Sequence, residues 1–172
     1  MSIDYALFDT ALGTAAVAWS DRGIVRTFLP ESDAQATRAR LARRLPDARA
    51  AEPPAHVHRL IDDVVRLLSG DRVSLDWVLI DDTAVPELDR QVYAAARTIP
   101  PGSTLTYGDI ARLIGDATLA RRVGEALGRN PFPIVVPCHR VLAAGGRTGG
   151  FSARGGTETK MQLLRIEGAV LL

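Results

Sequence analysis

The chain holds a single cysteine, Cys138. One thiol can neither close an internal disulfide nor supply a thiolate metal cluster. Any fold must therefore rest on buried apolar surface, and 172 residues at 47% hydrophobic content can provide it. That length suits one medium domain or two small ones. For the thiol itself, packing or chemistry remains. It stands in Ile134-Val135-Val136-Pro137-Cys138-His139-Arg140-Val141. A free cysteine usually packs as a small hydrophobe. Proline, histidine and arginine are poor core neighbours, however, and a base or positive charge beside a thiol favours the thiolate. His139 and Arg140 are candidates for either part. Adjacent side chains on an extended strand point apart, so pairing them predicts a strand that breaks into a turn at Cys138.

Residues 3–8, 14–19 and 24–29 alternate weakly between turns, which predicts an antiparallel meander. An arginine-rich helix over 33–45 stops at Pro46. A second helix, over 56–68, carries Val57, Leu60, Ile61, Val64, Val65 and Leu68 on one face. Residues 75–80 read as a returning strand. The character then changes. Helices are predicted over 88–99, 107–114 and 117–127, with Thr106 as the N-cap of the second and Gly115-Asp116 as the turn after it. Two short helices joined in this way form a helix-turn-helix candidate. Ala120, Gly124, Arg121 and Arg122 on its second helix suit close approach to a nucleic-acid groove, or else simple helix packing. A glycine-rich stretch, residues 143–152, lacks the Gly-Lys-Ser/Thr ending of a phosphate loop. A closing helix follows over 157–167.

The fold class expected is an α/β N-terminal domain with a small antiparallel sheet, residues 1–82, plus a mainly α C-terminal domain containing the helix-turn-helix, residues 83–172. Charge divides in the same way. Residues 1–85 carry 10 arginines against 13 acids, whereas residues 86–172 carry 10 arginines and Lys160 against 7 acids. A basic half is compatible with a polyanionic partner or with ordinary scatter. No apolar run reaches membrane-spanning length and no basic-then-apolar leader opens the chain. With a lone free thiol, this predicts a cytoplasmic protein with no membrane partner.

Four stretches together carry a resemblance: Thr106-Tyr107-Gly108-Asp109-Ile110-Ala111, Ala120-Arg121-Arg122-Val123-Gly124, Asn130-Pro131, and Pro137-Cys138-His139-Arg140-Val141. At this spacing the chain closely resembles the O6-alkylguanine-DNA alkyltransferases, also called methylated-DNA–protein-cysteine methyltransferases. The likeness is strong over residues 86–168. It implies a protein that binds double-stranded DNA in the minor groove, flips out the alkylated guanine and takes the alkyl group irreversibly onto its cysteine. Flipping is needed because a stacked base hides its reacting atom.

Carried over by position, the resemblance implies Cys138 as nucleophile, His139 as its base through a water, and Glu167 as the group that orients His139. Tyr107 would protonate the departing guanine ring. Arg121 would fill the gap left by the base, beside Thr106, Ala120, Arg122 and Gly124 on the DNA face. Asn130 would fix the turn beside the site. Pro133 and Phe151 would wall the pocket, the Val141 backbone and Ser152 would touch the base edge, and Lys160 would support the pocket loop. No cofactor and no metal are implied; His56 and His58 face apart on a helix. A monomer is expected, with cooperative binding on DNA and O4-alkylthymine as a second substrate left open.

Several positions depart from the family pattern. Leu88-Asp89 and Tyr93 stand where Phe-Gln and Trp are common, Arg122 where alanine is usual, and Phe151 where tyrosine is common. The segment Phe151-Ser152-Ala153-Arg154-Gly155-Gly156 is longer than the shortest family loops. Two other readings stay open: a lesion sensor that binds alkylated DNA without repairing it, and a cysteine hydrolase.

Overall fold

The computed structural model of the chain describes residues 2–169; the first residue and the last three of the expected domains lie outside the described residues. The chain divides into two compact units, one of Met1–Thr83 with Pro131–Pro133, the other of Ala84–Asn130 with Ile134–Leu172.

In the first unit the meander forms as β1 (Asp4–Thr10), β2 (Gly13–Ser20) and β3 (Gly23–Phe28), antiparallel throughout. Gly23 turns the chain at φ 140°, and a Cβ there would collide with the backbone of Leu79 and Ile80. Helix α1 (Ala34–Arg44) starts on Asp33, whose carboxylate accepts from the Ala36 N–H at 2.8 Å. It buries Leu41 against Ala16 and Phe28. A two-residue strand, β4 (Arg49–Ala50), adds in parallel to β1, giving the order β3-β2-β1-β4. Helix α2 (Ala55–Leu68) buries Val57, Leu60, Val64, Leu67 and Leu68, so the apolar stripe predicted from its periodicity faces inward.

The strand expected over 75–80 does not form. The Val78 N–H turns back to the Leu75 carbonyl at 3.1 Å, and only Ile80 bridges to Ile24. Its apolar residues Leu75 and Val78 are buried by turns rather than by a pleat.

The second unit is mainly helical: α3 (Glu87–Ala96), α4 (Tyr107–Leu113), α5 (Ala120–Gly128) and α6 (Thr157–Ile166). Helix α4 begins on a full capping box. Asp109 N–H donates to Thr106 Oγ1 at 3.0 Å and Thr106 N–H donates to Asp109 Oδ2 at 2.9 Å. The predicted helix over 117–127 is broken at its start: Ala117–Leu119 is a single 3-10 turn capped by Asp116, and the α-helix proper begins at Ala120. Asp116 competes for the first backbone N–H groups, accepting from Thr118 N–H at 2.9 Å.

The family departures in α3 are internally satisfied. Tyr93 is buried and donates its hydroxyl to the Ala126 carbonyl at 2.7 Å. Asp89, also buried, accepts from Arg129 Nε and Nη2 at 3.2 and 3.0 Å. Strand β5 (Leu105–Thr106) pairs in parallel with β6 (Val141–Leu142). That pair was not foreseen, because two residues per strand leave no period to read. It ties the start of α4 to the residues just after Cys138. Among the described residues no helix is long and apolar enough to cross a membrane.

Candidate active site

The expected strand does not lead into Cys138; the short strand follows it instead. Ile134 takes a left-handed φ of 75°, a conformation that costs a β-branched residue about 1–3 kcal/mol. The chain reverses there. Pro137 then sits at φ −80°, ψ 66°, the geometry of an inverse γ-turn. That turn closes through Cys138 N–H donating to the Val136 carbonyl at 2.8 Å. Proline's ring holds φ near this value unaided, so Pro137 pre-sets the turn that delivers the thiol. Asn130 braces the same carbonyl, donating from Nδ2 at 2.9 Å, and its side chain also hydrogen-bonds the thiol. Cys138–Arg140 continues as one 3-10 turn.

Behind the thiol lies a buried charged cluster. His139 Nε2 meets Glu167 Oε1 at 2.7 Å. A carboxylate only accepts, so the network assigns the proton to Nε2 and leaves Nδ1 as the basic nitrogen. Nδ1 is buried with no protein partner among the described residues. Glu167 is held from its other side by Arg140, which donates from Nε at 2.9 Å and from Nη2 at 2.8 Å. Arg140 Nη1 donates to the Ile99 carbonyl at 2.7 Å. The guanidinium is therefore committed to Glu167 and is not the cation beside the thiol. Sequence reasoning left that role open for it. The available signal was its apolar surroundings, since a buried arginine requires an acidic partner.

Lys160 is the cation near Cys138. It is 1% exposed, and its Nζ donates to the Val141 carbonyl at 2.6 Å and to the Gly150 carbonyl at 3.3 Å. Burial lowers its pKa to about 8, against the pull of the Cys138 thiolate. Burial pushes the Cys138 thiol up, opposed by the Asn130 hydrogen bond and the Lys160 charge. Burial also holds His139 below the ordinary imidazole range despite Glu167. For Glu167 burial pushes upward, but hydrogen bonds from His139 and Arg140, with their charges, outweigh it and hold the carboxyl at about 2. The outcome is a neutral imidazole backed by an ionised carboxylate.

In front of the thiol opens a cavity of about 460 Å³. Cys138 lines it together with Tyr107, Arg121 and Gly124 on the helical side and Gly150, Phe151 and Ser152 on the loop side. Tyr107 is pressed against the loop: a Cβ on Gly149, whose φ is 68°, would collide with the tyrosine hydroxyl. Burial raises the Tyr107 pKa, with a hydrogen bond from the Gly150 backbone acting the other way. A neighbouring cavity of about 550 Å³ shares Tyr107 and Arg121 and is lined also by Thr106 and Ala120. Arg121 stands almost fully in solvent, its side chain 91% exposed, with Glu125 Oε1 at 3.5 Å from its Nε. Arg122 is exposed and lines neither cavity. Val141 is buried in β6. Pro133, expected as a wall, lines neither cavity; its carbonyl is turned to the Thr27 hydroxyl at 2.7 Å, within the first unit.

Residues 87–169 match the family model described as 6-O-methylguanine DNA methyltransferase, DNA binding domain. The methylated-DNA–protein-cysteine methyltransferase of Methanothermobacter thermautotrophicus is 34% identical over 155 residues, 90% of this chain and 80% of that protein. The protein of the same name from Mycolicibacterium paratuberculosis is 32% identical over 165 residues, 96% of this chain and 92% of that protein. The crystal structure of Mycobacterium tuberculosis OGT in complex with DNA is similar at a TM-score of 0.76 and 28% identity, covering 96% of this chain and 92% of that one. A cavity lined by Cys138 beside a helix-turn-helix, a buried His139–Glu167 pair that follows the cysteine in the chain, and relatives aligned along nearly the whole sequence lead to one assignment: the chain belongs to the methylated-DNA–protein-cysteine methyltransferase family.

Proposed function

We propose that this protein repairs O6-alkylguanine in double-stranded DNA by moving the alkyl group onto Cys138. The observation that carries the reading is the position of Cys138, lining an open cavity in front while the His139–Glu167 pair is buried behind. In the reaction, the thiol proton passes through a water to His139 Nδ1. The sulfur attacks the alkyl carbon, an S–C bond forms, and the O6–C bond breaks with its electron pair going to the purine. Tyr107 gives its hydroxyl proton to the purine ring, so guanine leaves neutral, and the proton held on His139 returns to the tyrosinate through solvent. The net change is thiol plus alkylguanine to thioether plus guanine. A thioether is not hydrolysed under mild conditions, so each molecule acts once.

Burial of Tyr107 supports its part, since a raised pKa keeps the phenol protonated until charge develops on the base. Lys160 and Asn130 stabilise the thiolate. Phe151, Ser152 and the Val141 backbone receive the base. Arg121, exposed at the rim, takes the vacated place in the duplex, and Thr106, Ala120, Arg122 and Gly124 complete the DNA face. The protein acts as a monomer, in a reducing compartment such as the cytoplasm.

The test is intact-mass measurement after incubation with a duplex containing O6-methylguanine. One methyl mass should appear on Cys138. Cys138→Ala should stay unmodified while still binding the duplex. An unchanged mass under conditions where a relative reacts would refute the reading.

A further inference from the structure

The loop side of the cavity is fastened at two points by consecutive residues of α6. At one end Lys160 Nζ donates to the Gly150 carbonyl at 3.3 Å. At the other, Thr159 Oγ1 donates to the Arg154 carbonyl at 2.5 Å. Phe151 and Ser152, which line the cavity, lie between these anchors. The turn after them is closed by Gly156 N–H donating to the Ala153 carbonyl at 2.9 Å. Gly155 sits at φ 85°, and a Cβ there would collide with Thr159 Oγ1. Glycine is thus what lets the turn settle onto the threonine hydroxyl. A segment held at one end can swing about it; two anchors fix both its place and its direction.

We propose that Thr159 is a positioning residue that sets the width of the cavity at Phe151 and Ser152, and so selects which O6-alkyl groups reach Cys138. The proposal rests on the alkyl-transfer reading. Without the hydroxyl the Arg154 end is released while the Lys160 anchor stays, and the wall recedes. Bulky groups then gain relative to methyl.

The experiment measures second-order rates of Cys138 alkylation by intact mass, using duplexes that contain O6-methylguanine or O6-benzylguanine. Native chain, Thr159→Ala and Thr159→Ser are compared, with Gly155→Ala as an independent way to push the turn off the hydroxyl. The benzyl-to-methyl rate ratio should rise about fivefold in Thr159→Ala, the worth of one hydrogen bond. It should rise likewise in Gly155→Ala and return toward the native ratio in Thr159→Ser. An unchanged or lower ratio in Thr159→Ala, or equal slowing on both duplexes, would overturn the anchor while leaving repair intact. No methyl transfer by the native chain would overturn the repair reading and the anchor with it.

Discussion

Replacing Glu167 by glutamine isolates the charge of the buried cluster while preserving its shape. The native carboxylate, with its side chain 3% exposed, accepts three hydrogen bonds of 2.7, 2.9 and 2.8 Å from His139 and Arg140. Glutamine keeps one acceptor oxygen and turns two N–H donors toward groups that are themselves donors. Arg140, its side chain 7% exposed, then retains a buried positive charge with only the Ile99 carbonyl fully in place. Breaking one side of a buried pair costs about 3–5 kcal/mol, a large part of the roughly 5–15 kcal/mol that holds a domain folded. Urea unfolding of Glu167→Gln should show that loss. Methyl transfer should slow by about 100-fold or more as His139 loses its orienting partner. The pH dependence is also specified. The unfolded carboxyl titrates near 4.5 and the folded one near about 2. Between these values the unfolded chain takes up a proton that the folded chain refuses. The stability difference between native and variant should therefore be full above 4.5 and shrink as pH falls toward 2. A cost below about 1 kcal/mol, the worth of an ordinary neutral hydrogen bond, would refute the charged-cluster argument.

Arg121→Ala should impair reaction with duplex DNA more than reaction with a free O6-alkylguanine base, because only the duplex demands extrusion; equal losses on both would remove Arg121 from that role. Lys160→Met should alter the pH dependence of stability. The folded ammonium titrates near 8 and the unfolded one near 10.5, so native stability relative to the variant should rise from pH 8 to 10.5 in urea unfolding. A flat difference there would contradict a strained buried cation. Gly149→Ala should destabilise by about 1–3 kcal/mol, because an alanine is strained at φ 68° and its methyl would collide with the Tyr107 hydroxyl. Thermal unfolding measures that cost, and a neutral substitution would show that Tyr107 is not pressed against the loop.

Elements with a long apolar period were legible in the sequence, and the short ones were not. The stripe of α2, the meander and the Thr106 cap follow from residue spacing and side-chain chemistry. The segment over 75–80 has strand-like composition, but its apolar residues are equally well buried by turns, and alternation alone does not separate the two. Asp116 looked like part of a tight turn; its side chain also captures the next backbone N–H groups and delays α5 to Ala120. At the site, the family spacing pointed to Cys138, His139 and Glu167 although Glu167 lies far from the other two in sequence, and the structure sets His139 against Glu167 at 2.7 Å. Arg140 was as good a candidate partner for the thiol as His139 because adjacency suggests contact, whereas a 3-10 turn sends successive side chains in different directions. The role of Thr159 had no signal at all, since it depends on the path of a glycine-rich loop that has no period to read.

The link between His139 and Glu167 spans 28 residues and reaches the end of α6. It has a temporal consequence. During synthesis the cysteine emerges first, as an ordinary thiol with an unoriented imidazole beside it. Only when residue 167 has been made and docked does that imidazole acquire a fixed tautomer and a direction. A ribosome that stalls between the two positions would release a chain that carries the acceptor atom but lacks the means to use it. Single-use chemistry makes that order valuable, because a reagent that is spent once should not be armed before its DNA-reading helices are in place.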